Sequence, residues 1–366
     1  MELQHKFIET REPEAYRDPW LELANQAACT NPFFSWEWTC AWYKNRNNNM
    51  PLLLWVQADA AGKWKFLLPF IQVVALKGKG LWPASYHTID WANPLVHADA
   101  PETEDRFAEG VRELLKDYQF IWLPLLRPGT TLNQCKSLNR RKLIRPTARR
   151  FFFEIPENQE DRSRFRAERW GKKQIKNIAY LQRKLSRMAH WEFCNLSQDV
   201  NFDELLEVEK NSWKKPKGLS LYSNQTVERT YADVLPDLLK QKKIRLTALR
   251  LNGRFIAYEI GFLLDGSSYG LHHLAFDQRW SDLSPGKLLM DFNIQYCLQH
   301  NLTFYDFLQG NNEYKKRWAN DSEDLMEVSL YANGFVPWLL FSLTNWLQKR
   351  RKRTEVRLDR TQQKMR

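Results

Sequence analysis

The sequence predicts an α+β protein of two domains. Each carries a mixed, mainly antiparallel sheet flanked by helices, and the first is a weaker copy of the second. Three observations predict this. Residues 244–308 read as an antiparallel meander followed by a helix and one more strand, the first half repeats a fainter version of that order, and the chain has 366 residues, enough to bury more than one core. Hydrophobic residues make up 43% and aromatics 14%, with 16 Trp. That composition excludes a disordered tail protein, a collagen or a coiled-coil rod.

In the first half, LLLWVQAD, a turn at Ala61-Gly62 and KWKFLLPFIQVV read as a hairpin, FAEGVRELLKDY as a helix and QFIWLPLL as a strand. Pro146 and the FFFEIP strand mark a junction near residue 147. The expected units are therefore 1–147, 148–332, and an amphipathic helix with a basic tail at 333–366. Arg162–His190 reads as a basic helix with Trp170, Ile175, Ile178, Tyr180 and Leu181 among its Lys and Arg. Phe202–Trp213 and Thr226–Gln241 read as two further helices.

The second copy is clearer. IRLTALRL, FIAYEIGFLLD and SSYGLHHLAFD are three strands, and Asn252-Gly253 and Asp265-Gly266 supply the positive φ that tight hairpin turns require. A loop, QRWSDLSPG, leads into a helix with Ser284 as N-cap, Pro285 at its first position and Asn301 at its end. TFYDFL is then a strand that must lie parallel to the one before the helix. The first-copy helix is preceded by the acidic Pro101-Glu102-Thr103-Glu104, so only the second copy has a helix start suited to an anion.

Charge is unevenly spread. The chain holds 55 Lys and Arg against 43 Asp and Glu, a net of +12. Lys136–His190 carries 17 basic and 5 acidic residues, and Lys349–Arg366 carries 9 and 2. The rest is mildly acidic, so the basic patches are local fields rather than a general nucleic-acid coat. The second patch follows FVPWLLFSLTNWL (335–347), which as a helix is about 20 Å long against a hydrocarbon core of about 30 Å. It suits the surface of an anionic membrane, or else packs on the domain as a closing helix ahead of a solvated tail. Cys29, Cys40, Cys135, Cys194 and Cys297 are scattered without a C-x-x-C, which argues against a disulfide framework or zinc ribbon. With no signal-peptide pattern at the start, the expected setting is reduced and cytoplasmic.

Four groups are candidates for chemistry. Ser284-Pro285-Gly286-Lys287-Leu288 offers a helix start, a glycine that admits a phosphate and a cation, although Ser-Pro also simply caps helices. Asp306 alternates onto one face with Phe304 and Leu308, so it is a buried carboxylate that serves either chemistry or a structural ion pair. Tyr314 and Lys315 follow Gly310 at a strand end, positioned to protonate a leaving group and to stabilise an oxyanion unless the turn is only solvated charge. His272 and His273 lie on opposite faces of one strand, so at most one faces a given cleft, and they cannot chelate one metal. No metal site is expected. Dinucleotide, Walker, nucleophile-elbow and HExxH motifs are absent from the sequence.

SPGKLL (284–289), YDFLQGNNEYKKRW (305–318) and NPFFSWEWTCAWY (31–43) together resemble the GNAT-superfamily acetyltransferase domain of proteins of the CelD type, named for cellulose and exopolysaccharide biosynthesis. HTIDWANPLV (87–96), the basic helix around Lys172–Lys184 and Asn211-Ser212-Trp213 add to the match. The family is similar to tandem-GNAT enzymes such as the Fem-type aminoacyltransferases. The resemblance implies two GNAT-like halves, a degenerate first and a working second. Acetyl-CoA or another acyl-CoA would lie in the splay between strands 268–276 and 303–308, its pyrophosphate on Ser284, Pro285, Gly286, Lys287 and Leu288 with Arg279 nearby. It also implies an N-acyltransferase acting on the amine of a sugar, peptide or small metabolite. Asp306 or His273 would take the proton, Lys315 hold the oxyanion and Tyr314 serve the leaving group. Two rivals remain: an aminoacyl-tRNA-dependent transferase that uses the basic patch, and a non-catalytic scaffold at the membrane.

Overall fold

The computed structural model describes residues 2–46, 50–75, 78–130, 142–221 and 224–346. The first half runs β1 (Gln4–Thr10), α1 (Arg17–Asn25), α2 (Trp36–Asn45), β2 (Leu52–Ala58), β3 (Trp64–Ala75), β4 (Gly78–Pro83), β5 (Leu95–Val96), α3 (Glu104–Asp117) and β6 (Phe120–Leu126). There follow β7 (Lys142–Glu154), α4 (Gln159–Met188), β8 (Trp191–Asn195), α5 (Phe202–Lys210) and α6 (Gln225–Lys240). The second copy is β9 (Ile244–Leu251), β10 (Arg254–Leu264), β11 (Ser268–Phe276), α7 (Pro285–Gln299) and β12 (Phe304–Gln309), then α8 (Glu313–Trp318) and β13 (Asp321–Tyr331).

The repeat is explicit in the strand pairing. β2–β3–β4–α3–β6 and β9–β10–β11–α7–β12 share one order, and the two parallel strand pairs, β4 with β6 and β11 with β12, fall at the same place in each. The predicted turns form: Asn252 and Gly253 have φ of 47° and 79°, Asp265 and Gly266 of 52° and 67°. Asn301 at φ 58° closes the C-terminal end of α7, the left-handed stop that asparagine tolerates.

The two copies do not keep separate sheets. They join in the order β1-β2-β3-β4-β6-β13-β7-β12-β11-β10-β9-β8, with β5 on β3. β13 pairs antiparallel with both β6 and β7, so neither half presents its inner edge to water. The expected junction near residue 147 lies within β7. Pro146 is tolerated there because it sits at a register shift in the pairing with β13, where a missing N–H costs little. The main core is likewise shared. The Phe33 ring meets Phe262 edge-on at 5.3 Å and His272 at 5.2 Å, and Trp38 packs on Tyr231 at 5.3 Å. The basic helix forms as α4, broken at Gly171 (φ 74°).

Candidate functional site

β11 and β12 are paired only over Ser268–Gly270 with Phe304–Asp306. Beyond that they part, and Leu308 (φ 54°) and Gly310 (φ 128°) turn the chain away into α8. Two openings flank this fork. One, about 420 Å³, is lined by Gln174 of α4, Leu274 and Phe276 of β11, Ser284, Gly286 and Lys287 at the start of α7, and Tyr314 and Arg317 of α8. The other, about 460 Å³, lies between the halves, bounded by residues 87–90 of the first and by Lys214, Tyr231, His272, His273, Gly310 and Lys315 of the second. Trp213, Leu274 and Tyr314 belong to both walls. A groove and a cleft therefore meet at one point in the fork.

The start of α7 is built tightly. Ser284 takes a left-handed conformation (φ 48°, ψ 50°), and its side chain does not cap the helix. Instead its carbonyl accepts from the amides of Lys287 (3.0 Å) and Leu288 (3.2 Å), while its own N–H donates to Ser281 O at 2.9 Å. The sequence reading offered all the amides of 284–288 to an anion. Pro285 has none and three are used within the turn, so Gly286 supplies the N–H that makes no backbone bond among the described residues. A Cβ at Gly286 would stand 3.3 Å from Leu274 Cδ2 and 3.4 Å from Phe276 Cδ1, carbons of two groove-wall residues. Lys287 Nζ donates to Asn177 of α4 at 2.8 Å. Burial and the nearby Arg317 lower its pKa, so the groove mouth holds two mutually repelling cations beside a helix N-terminus.

The cleft carries a different set. His272 Nδ1 is 2.5 Å from Asp90 Oδ2, and its Nε2 meets the Tyr231 hydroxyl. Asp90 reaches it because Trp38 Nε1 donates to Thr88 (3.0 Å), pinning the 85–90 loop to α2. His273 Nε2 lies 2.6 Å from Glu209, which also accepts from Tyr258 at 2.6 Å, and Lys214 Nζ stands 3.1 Å from His273 Nδ1. Burial and then Lys214 lower His273 to about 4, against the pull of Glu209. The ring is therefore neutral near pH 7. Burial also brings Lys214 to about 8, with Lys315 adding to the shift, and brings Lys315 to about 8 despite Asp90 and Asp306. Tyr314 is raised above its ordinary value, by burial first and then by Glu259 and Asp90.

Several sequence-predicted residues fall elsewhere. Asp306 lines neither opening. Its carboxylate accepts from Arg150 Nε (2.7 Å), Arg127 Nη2 (3.2 Å) and the Leu308 amide (2.7 Å), which makes it the structural ion pair rather than a proton acceptor. Arg279 forks onto Asp277 at the mouth of a separate cavity, and its side chain is mostly exposed. The Leu288 side chain is in the core and contributes no groove wall. Both histidines line the cleft, since it follows the free edge of β11 rather than one face. Lys315 is buried, and donates to Phe307 O (2.6 Å) and Gln309 O rather than into the groove. Asp90, Glu209, Lys214 and Tyr231 carry no local signal, because their histidine partners lie 182, 64, 59 and 41 residues away in the sequence. No group of three or more metal-ligating side chains occurs among the described residues.

Residues 172–316 match the family described as "Acetyltransferase (GNAT) domain". Among solved structures the chain is similar to FemX, with TM-score 0.61, 10% identity and coverage of 94% of this chain and 99% of that one. It is also similar to L-PGS from Bacillus licheniformis (0.53, 10%, 90% and 96%). A conserved protein of unknown function from Bacteroides thetaiotaomicron gives 0.53, 12%, 91% and 100%. At such identities these likenesses show the fold. No curated protein matches the chain. Over residues 172–316 the chain is therefore similar to the GNAT acetyltransferase domain, and it shares its overall fold with FemX and L-PGS.

Proposed function

We propose that the protein transfers an acyl group from acyl-CoA to an amine, with the donor in the groove beside α7 and the acceptor in the cleft between the halves. One observation carries this reading: two openings of unlike chemistry meet at Tyr314 and Leu274, where the two parallel strands separate. A thioester in the groove then presents its carbonyl at the fork, and an amine in the cleft attacks it directly. Such a reaction needs positioning, a proton acceptor and a stabilised oxyanion more than a covalent nucleophile. Gly286, Lys287 and Arg317 receive the donor phosphates. The Tyr314 hydroxyl, kept protonated by its burial, donates to the departing sulfur. His273 is neutral at pH 7 and lines the cleft, so it is the ring placed to take the acceptor's proton.

Gly286→Leu tests the groove. Its side chain invades the space against Leu274 and Phe276, so calorimetry should show acetyl-CoA affinity falling at least about tenfold, worth about 1.4 kcal/mol, with the melting temperature little changed. Equal affinity for both proteins removes the groove from the reading. If acyl-CoA fails to bind the native protein while tRNA does, the exposed cations of α4 favour the aminoacyl-tRNA donor instead. The exposed apolar residues of 335–346, followed in sequence by the basic run from Lys349, support seating at an anionic membrane surface.

A further inference from the structure

Lys214 stands in the segment that follows α5, on a backbone fixed from two sides. Its N–H donates to Ser212 Oγ at 3.3 Å, and its carbonyl accepts from the Leu219 amide at 3.1 Å. Ser212 itself bridges to Asp277, just past the end of β11. The Lys214 side chain is half-buried and borders the cleft. Its neighbours in sequence, Lys215 and Lys217, are exposed.

Lys214 has no part in the transfer described above, yet it heads an ordered chain of contacts. Its Nζ lies 3.1 Å from His273 Nδ1 and 3.3 Å from Nε2. His273 Nε2 lies 2.6 Å from Glu209 Oε1, and Glu209 is held by the Tyr258 hydroxyl at 2.6 Å and the Leu221 amide at 3.1 Å. Glu209 and Tyr258 are fully buried, so the ring is oriented from the protein interior. With Nε2–H directed at that carboxylate, the Nδ1 lone pair is left for the lysine. Amine, base and orienting carboxylate in this order form the arrangement that activates a nucleophile. Burial brings Lys214 to about 8, with Lys315 adding to the shift against Glu209 and Asp90. More of it is therefore free amine near neutrality than for an exposed lysine. The chain of contacts also stands at the fork. Trp213 precedes Lys214, Leu274 follows His273, and both residues line groove and cleft alike.

We propose that Lys214 is a self-acylation site, taking an acyl group from the donor thioester to form a stable acyl-lysine. The proposal rests on the acyltransferase reading for the donor in the groove. Nζ attacks the thioester carbonyl, the N–C bond forms, and the C–S bond breaks with its electron pair leaving on sulfur. The surplus proton on nitrogen passes to His273 Nδ1, and the thiolate takes the Tyr314 proton to leave as a thiol. Exchange with water returns both side chains to their starting states. The amide is uncharged and a poor acyl donor, so the mark persists and removes a cation from the cleft.

The test incubates the full chain with acetyl-CoA and maps the acetyl groups by mass spectrometry, with binding followed by calorimetry. Lys214 should be acetylated at least about tenfold faster than Lys215 or Lys217, at a rate independent of protein concentration. Lys214→Arg should remove that acetyl group, and His273→Gln should slow its arrival about 100-fold, both variants melting like wild type and binding acetyl-CoA equally. If acetyl-CoA binds and Lys214 reacts no faster than Lys215 and Lys217, the inference is overturned and the transferase reading stands. An undiminished rate in His273→Gln overturns it as well. If acetyl-CoA does not bind, the transferase reading falls. S-acetyl-N-acetylcysteamine, a thioester short enough to enter the cleft alone, then decides the inference by the same preference for Lys214.

Discussion

At the scale of single residues, the second half carries a buried acid whose proton sets a pH response. Glu259 accepts from Tyr269 (2.6 Å) and Asn293 (2.9 Å) beneath α7. Burial raises its pKa from 4.5 to about 8, against the lowering effect of those bonds and of Arg245. Between those values the folded chain holds a proton that the unfolded chain has lost. The stability from Glu259 is therefore greatest at low pH and drains away as pH rises from about 4.5 through about 8, at most about 1.4 kcal/mol per unit. His273, lowered to about 4, acts oppositely: its contribution is lost as pH falls from 6.5 towards 4. Glu259→Gln keeps the neutral shape without the titration. Denaturant unfolding should show wild type and variant similar at pH 6 and the variant ahead by about 1–2 kcal/mol at pH 9. Parallel profiles would remove Glu259 as the source.

Elements were more legible than the contacts between them. The hairpin turns of the second copy, the start of α7 and the parallel return of β12 follow from turn chemistry and connection rules that act within a few residues. β13 is harder to read, since DSEDLMEVSLY gains its strand character from pairing with β6 and β7, far off in sequence. Tertiary context decides such segments. The groove was readable at Ser284, Gly286 and Lys287, which sit on one local turn. The cleft was not, because Asp90 and His272 meet only once α2 has pinned the 85–90 loop. Lys315 shows the same limit: sequence placed it near the reaction, and packing made it a strut for the free end of β12. Replacing it by Met removes two charge-assisted bonds to Phe307 O and Gln309 O. The variant should lose about 3 kcal/mol of stability in denaturant unfolding. With the fork loosened, kcat should fall about 100-fold. A stable variant with full kcat would show that the fork holds its shape without Lys315.

At the scale of the whole molecule, the shared sheet makes the two halves one body, since residues 87–90 of the first wall the cleft of the second. The same continuity gives the end of the described chain a fixed platform. Residues 335–346 are helical, and Leu340 anchors them on Phe120 and Tyr331, beside Gly78. The other side of this helix is exposed: Phe335 by 73%, Trp338 by 48%, Leu339 by 44% and Leu343 by 39%. Aromatic and leucine side chains held outward on a fixed helix, with nine Lys and Arg against two acids from Lys349 onward, match an anionic bilayer surface better than a neutral one. No described helix is long and apolar enough to cross a membrane. The full chain should therefore float with vesicles containing phosphatidylglycerol, less so with pure phosphatidylcholine, and the binding should weaken as salt rises. A Phe335→Ser/Trp338→Ser/Leu339→Ser triple variant removes exposed groups, so it should melt like wild type yet stay with the unbound fraction. Flotation of that variant equal to wild type would shift the contact elsewhere. A wild-type dimer that the same substitutions split would assign the apolar face to a second copy of the chain.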